Sequence, residues 1–172
     1  MSSTPWTHGI IAQLKAYNIR FLSYVPDSII EQVLKLARQD PFFDLLPLAR
    51  EEEGIGVVTG QHVGGERGAV FLPTSGIGNA INALASLAIP YQIPLPMFIG
   101  CRGELGEFNA SQVPMGQALR PILDALRIPH FDLAHPEEVN VVVDGALKLT
   151  YALELPVAVL ISTQLAGWKD EK

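Results

Sequence analysis

A single cysteine, Cys101, stands in 172 residues. No disulfide can close within the chain and no cysteine-rich zinc site can form, which suits a reducing cytoplasm. A basic excess is also missing. Twelve Lys and Arg face 18 Asp and Glu, for a formal net charge of −6. That balance argues against a nucleic-acid backbone or an anionic membrane as the main ligand, since both call for a basic patch. The opening "MSSTPWTHGIIAQLK" lacks the basic start and long apolar core of a signal peptide. The most apolar stretch, "INALASLAIPYQIPLPMFIG", is cut by Pro90, Pro94 and Pro96, unlike a membrane helix. His8, His62, His130 and His135 have no metal-ligand spacing, so no metal site made by this chain alone is expected. Cys101 with His130 or His135 lacks a third, orienting group, and reads as a packed cysteine beside loop histidines.

Phosphate-loop and hydrolase signatures are incomplete. "SGIGNAI" supplies Gly76 and Gly78, but the third glycine of the dinucleotide fingerprint and the lysine of a Walker loop are absent. A hydrolase elbow around Ser75 would need glycine where Pro73 stands. The plain reading is a close turn feeding a helix, and a stand-alone nucleotide-binding protein is the weakest of the functional readings.

Against these absences stands an apolar surplus: 48% of residues are hydrophobic and 17% charged. One domain over residues 1–172 with a full core is expected, with apolar surface left over for a partner or for self-association. Apolar positions at helical spacing predict helices over 6–17, from Ser28 onward, over 75–88, over 115–127 and over 139–153. Ser28 and Glu31 form a Ser-x-x-Glu pattern that predicts a capping box. Pro136, Glu137 and Glu138 read as a first helical turn. Short apolar runs, "RFLSYV", "FFDLLPLA", "GAVFLP", "IPLPMFIG", "HFDL" and "PVAVLIS", predict strands, with Pro47 marking an edge or an end. Strand and helix alternate, and most strands are continuous apolar runs. The pattern predicts an α/β fold, a three-layer doubly wound parallel sheet with helices on both faces. "VPDS", "AREEEG", "PTSGIGN" and "GCRGELGE" then share the rim at the carboxyl ends of the strands, where such sheets hold ligands.

On that rim Glu51, Glu52 and Glu53 open a helix that also carries Gly54, Gly56 and Gly60. Acids in a first turn complement the helix dipole by roughly 0.3–1 kcal/mol each. Dipole compensation does not explain the glycines, each of which costs about 0.5–1 kcal/mol inside a helix. Close approach of another backbone does, and a carboxylate held partly dry beside such a contact suits proton exchange with a ligand nitrogen.

"REEEGIGVVTG", "PTSGIGNAINALASL", "CRGELGE" and "QVPMGQALRPILDAL", in this order, resemble the pyrimidine-binding half of thiamine diphosphate-dependent 2-oxoacid decarboxylases, nearest to those acting on sulfopyruvate and then on phosphonopyruvate. The likeness runs from about "VPDS" to "PVAVLIS". It implies that one glutamate contacts the pyrimidine ring nitrogen of the cofactor. Members place that glutamate nine residues before a glycine of the same helix, and counting back from Gly60 selects Glu51, or Glu52 if the register slips by one residue. It further implies Ser75, Gly76 and Asn79 beside the pyrimidine, with Thr74 in place of the usual asparagine. Asp27, Ser28 and Arg102 would line the substrate cavity, Arg102 taking a sulfonate, phosphonate or carboxylate through two hydrogen bonds. Cys101 stands where sulfopyruvate enzymes often have histidine and phosphonopyruvate enzymes tryptophan.

The family binds diphosphate and Mg²⁺ through a Gly-Asp-Gly and a later Asn-Asn, and this sequence holds neither. The resemblance therefore implies half an active site, completed by a separate β subunit. The expected activity is decarboxylation of an anionic 3-substituted pyruvate. The alternative is a non-catalytic regulatory or scaffolding subunit of the same kind of assembly.

Overall fold

The computed structural model describes residues 5–167. A six-stranded, wholly parallel sheet runs through them in the order β2-β1-β3-β4-β6-β5. The strands are β1 (Phe21–Tyr24), β2 (Asp44–Pro47), β3 (Gly68–Pro73), β4 (Leu95–Gly100), β5 (His130–Leu133) and β6 (Pro156–Ile161). Every residue of β3, β4 and β6 is buried, as the continuous apolar runs require of strands covered on both faces. β2 and β5 are the exposed edges, and Pro47 ends β2, where its missing N–H costs no ladder bond.

Side chains alternate across the sheet and sort the helices into two layers. Phe71, Phe98, Val157, Val159 and Ile161 face a core shared with α1 (Pro5–Ala16), α2 (Glu31–Ala37) and α6 (Val139–Leu153). Phe71 stacks on Phe98 there, ring centroids 4.6 Å apart. Val70, Leu72, Met97, Ile99, Ala158 and Leu160 face the other core, built with α3 (Glu51–Val63), α4 (Thr74–Ala83) and α5 (Val113–Ala125). The result is the expected three-layer α/β arrangement. α4 continues as a π-helical turn over Leu84–Ala88, and a final turn of helix, α7 (Thr163–Ala166), follows β6. Among the described residues no helix is long and apolar enough to cross a membrane.

Two local expectations need correction. Ser28 does not cap α2: the helix starts at Glu31 behind Ile30, with no side-chain cap. Asp27 does the turning instead, its Oδ1 accepting from the N–H of Ile29 at 2.9 Å. Glu31 reaches Arg38 rather than back to the cap, at 2.7 Å. The three glycines of α3 also do not share one role. Gly54 is buried against its own chain, where a Cβ would stand 2.9 Å from Leu48 Cδ1 and 3.0 Å from Val70 Cγ1. Gly56 and Gly60 face open space, with nothing within 4 Å of a Cβ at either.

Candidate functional site

All four rim segments lie at the carboxyl ends of parallel strands: "VPDS" after β1, "AREEEG" after β2, "PTSGIGN" after β3 and "GCRGELGE" after β4. The chain reverses direction across the sheet on either side of β1, the kind of switch point at which α/β sheets form ligand crevices.

The glutamate triplet divides into separate tasks. Glu53 closes the start of α3, its Oε2 accepting from the N–H of Ala49 at 3.1 Å and of Arg50 at 3.3 Å. Glu52 pairs with Arg50 Nε through Oε1 at 2.9 Å, and its Oε2 is buried without a hydrogen bond. Glu51 turns inward and is 8% exposed. Its Oε2 accepts from Asn79 Nδ2 at 2.7 Å. Its carboxyl lies against Gly76 so closely that a Cβ there would sit 2.2 Å from Glu51 Cγ and 2.6 Å from Cδ. Gly76 is thus required by contact rather than by backbone conformation. Glu51, Gly76 and Asn79 therefore meet between α3 and α4. Ser75 lies beside them on the exposed side of α4.

Thr74, the first residue of α4, joins this cluster to the loop after β4. Its buried hydroxyl donates to the carbonyl of Gly100 at 2.9 Å and accepts from the N–H of Arg102 at 3.1 Å. That loop packs on α5, where a Cβ at Gly116 would stand 2.1 Å from the Arg102 carbonyl oxygen. Cys101 is buried at its root, and burial pushes its thiol well above the usual range. It has the character of a packing residue.

Arg102 and Asp27 also meet, but around a residue that was given no role in the sequence reading. Glu107 receives Arg102 Nε at 2.7 Å and Nη2 at 2.8 Å, a two-pronged pair. The N–H groups of Gly103 at 3.2 Å and Asn109 at 3.0 Å complete its shell. The Arg102 fork holds the Glu107 carboxyl far down, at about 2. Asp27 Oδ2 stands 3.8 Å from Arg102 Nη1. All three side chains are nearly enclosed, 13% exposed for Arg102, 8% for Asp27 and 3% for Glu107. Gly103 and Gly106, at φ +72° and +84°, let the loop fold back for this contact. The signal was present in "RGELGE": an acid five residues from an arginine, with a glycine beside each, describes a loop closing on itself.

A cavity of ≈ 190 Å³ opens beside this cluster. Segments that follow three strands line it, including Ser28 and Gln32 after β1, Arg102 and Phe108 after β4 and Thr163 after β6. Asp27 is placed at its edge through Arg102, and exposed Ser28 lies on its wall.

No protein-family model matches the sequence. Single relatives do. The chain is 37% identical over 154 residues to the sulfopyruvate decarboxylase subunit alpha of Methanococcus maripaludis, covering 90% of this chain and 91% of that protein. It is 38% identical over 164 residues to the subunit of the same name from Methanocaldococcus jannaschii, covering 95% and 97%. A sulfopyruvate decarboxylase of Methanosarcina acetivorans is 31% identical over 140 residues, 79% of this chain but 36% of that longer protein. With this likeness spanning nearly the full length of two α subunits, the chain belongs to the family of sulfopyruvate decarboxylase α subunits.

Proposed function

We propose that this chain is the α subunit of a thiamine diphosphate-dependent decarboxylase acting on an anionic 3-substituted pyruvate, sulfopyruvate before phosphonopyruvate. A β subunit would hold the diphosphate and Mg²⁺. The observation that carries the reading is the enclosed Glu51 carboxylate, with one oxygen on Asn79 and the whole group set against Gly76. Its Oε1 accepts no hydrogen bond from the described residues, leaving an acceptor at a helix start for a ring nitrogen. These residues fit the aminopyrimidine. Glu51 would hold and pass a proton at the ring nitrogen, Asn79 would fix the carboxylate, and Ser75 and Gly76 would line the ring. When bound, the cofactor supplies the electron sink that decarboxylation of a 2-oxoacid needs.

Asp27, Ser28 and Arg102 line or flank the cavity in which the substrate's anionic end would bind. Two features favour a split enzyme. The relatives that match end to end are named as subunits, whereas the Methanosarcina relative is a longer single chain. Gly56 and Gly60 also leave α3 low on its outer side, where a neighbouring chain can approach.

The reading is tested by purifying the protein with its native partner and following CO2 release from sulfopyruvate with thiamine diphosphate and Mg²⁺. Turnover that needs both chains is expected. Full turnover by the partner alone would replace the reading with the non-catalytic one.

A further inference from the structure

We propose that Glu107, with Asp27, makes the Arg102 site selective for a substrate end carrying one negative charge over one carrying two. The inference rests on the functional reading above and names the discriminating residues of that same cavity.

A guanidinium has five N–H donors. Glu107 takes two of them, on Nε and Nη2. The remaining donors, on Nη1 and Nη2, are those that can receive an anion in the cavity Arg102 lines. Glu107 thus fixes which edge of Arg102 is offered, and with four hydrogen bonds to its two oxygens it is not a group that an incoming anion displaces. The Arg102 hydrogen bonds hold its carboxyl low, at about 2, which favours the ionised form.

Charge counting then decides what that edge accepts. Among the described residues Arg102 is the only cation lining the cavity, and two nearly buried carboxylates, Asp27 and Glu107, stand against it, so this three-residue cluster is net negative. A third carboxylate, Glu104, lies directly behind the cavity wall, its Oε2 accepting from the Thr163 hydroxyl at 3.0 Å. Arg120 is engaged with Glu104 and Asp132 on the far side. A sulfonate brings one charge and three acceptor oxygens, and three oxygens suffice to satisfy the free donors. A fully ionised phosphonate offers the same oxygens with a second charge that finds no further cation among the described residues of the cavity. At an effective dielectric of about 20, one additional like charge a few ångströms away separates two affinities by roughly tenfold or more.

The test uses two inert probes, sulfoacetate and phosphonoacetate, titrated calorimetrically into the protein purified with its partner, above and below the second phosphonate ionisation. Above it, sulfoacetate is expected to bind about tenfold tighter or more; below it, where both termini carry one charge, within about threefold. Glu107→Gln makes the cluster neutral and is expected to bring the high-pH ratio to about threefold or less. Should that variant not fold, the two-pH comparison on the native protein decides alone. Equal or tighter binding of phosphonoacetate above its ionisation, a ratio that ignores pH, or no binding of either probe would overturn the assignment. Intact sulfopyruvate turnover beside any of these leaves the functional reading standing; the expected ratios without turnover overturn that reading and spare this one.

Discussion

Glu51 and Gly76 occupy one another's space: the side chain of the first lies where a side chain on the second would be, with Cγ 2.2 Å and the carboxyl carbon 2.6 Å from a Cβ at position 76. α3 and α4 can therefore close on each other with the carboxylate between them only while residue 76 has no side chain. Gly76→Ala is expected to push Glu51 out of this position, lowering turnover of the complex by about 100-fold or more and stability by about 1–3 kcal/mol, the usual range for overpacking. Activity within threefold of the native protein would show that Glu51 does not need this seat.

Asn79 is the polar partner of that carboxylate, at 2.7 Å. Asn79→Asp sets a second carboxylate against the first, and like charges at hydrogen-bond distance cannot both stay ionised in place. The variant is expected to lose thiamine diphosphate affinity by about tenfold at neutral pH and to recover part of it on acidification, as calorimetric titration of the complex would report.

Thr74→Val keeps the shape of the side chain and removes both of its hydrogen bonds. The carbonyl of Gly100 and the N–H of Arg102 lose their partner in a buried place. A loss of about 1–3 kcal/mol in urea unfolding is expected. The substitution should also loosen the loop that carries Arg102, so substrate KM should rise more than kcat falls.

The Arg102–Glu107 pair gives the fold a specific acid sensitivity. Pairing lowers the Glu107 carboxyl from 4.5 to about 2. Between those values the unfolded chain binds the extra proton, so stability rises with pH through this window and is lost as acid is added across it. Native protein is expected to exceed Glu107→Gln in urea midpoint by most at about pH 7, and by less at about pH 3. A constant difference would mean that the pair contributes no charge-linked stability.

Much of this architecture was legible in the chain. "GAVFLP", "HFDL" and "VNVVVDGALKLTYAL" are the exact spans of β3, β5 and α6. In each, apolar periodicity or continuity is the physical cause of the element. The failures lie where a side chain chooses among partners of similar chemistry. Ser28 had the right spacing for a cap, yet Asp27 turns the chain and Glu31 pairs with Arg38. Position along α3 could not tell which of three adjacent glutamates turns inward, because that depends on α4 delivering Gly76 and Asn79. The Glu107 clamp is a contact within a loop that two glycines at positive φ make possible, and no periodicity announces it. Gly54, expected with Gly56 and Gly60 to admit another backbone, instead packs on Leu48 and Val70 of its own chain.

The most direct measurement compares Glu51→Gln with Glu52→Gln in the protein purified with its partner, following CO2 release from sulfopyruvate and thermal unfolding of each variant. Glu51→Gln is expected to reduce turnover by about 100-fold or more with an unchanged unfolding midpoint, and Glu52→Gln to stay within about threefold of the native complex. Full activity in Glu51→Gln, or loss confined to Glu52→Gln, would contradict the assignment of Glu51 as the proton-handling residue.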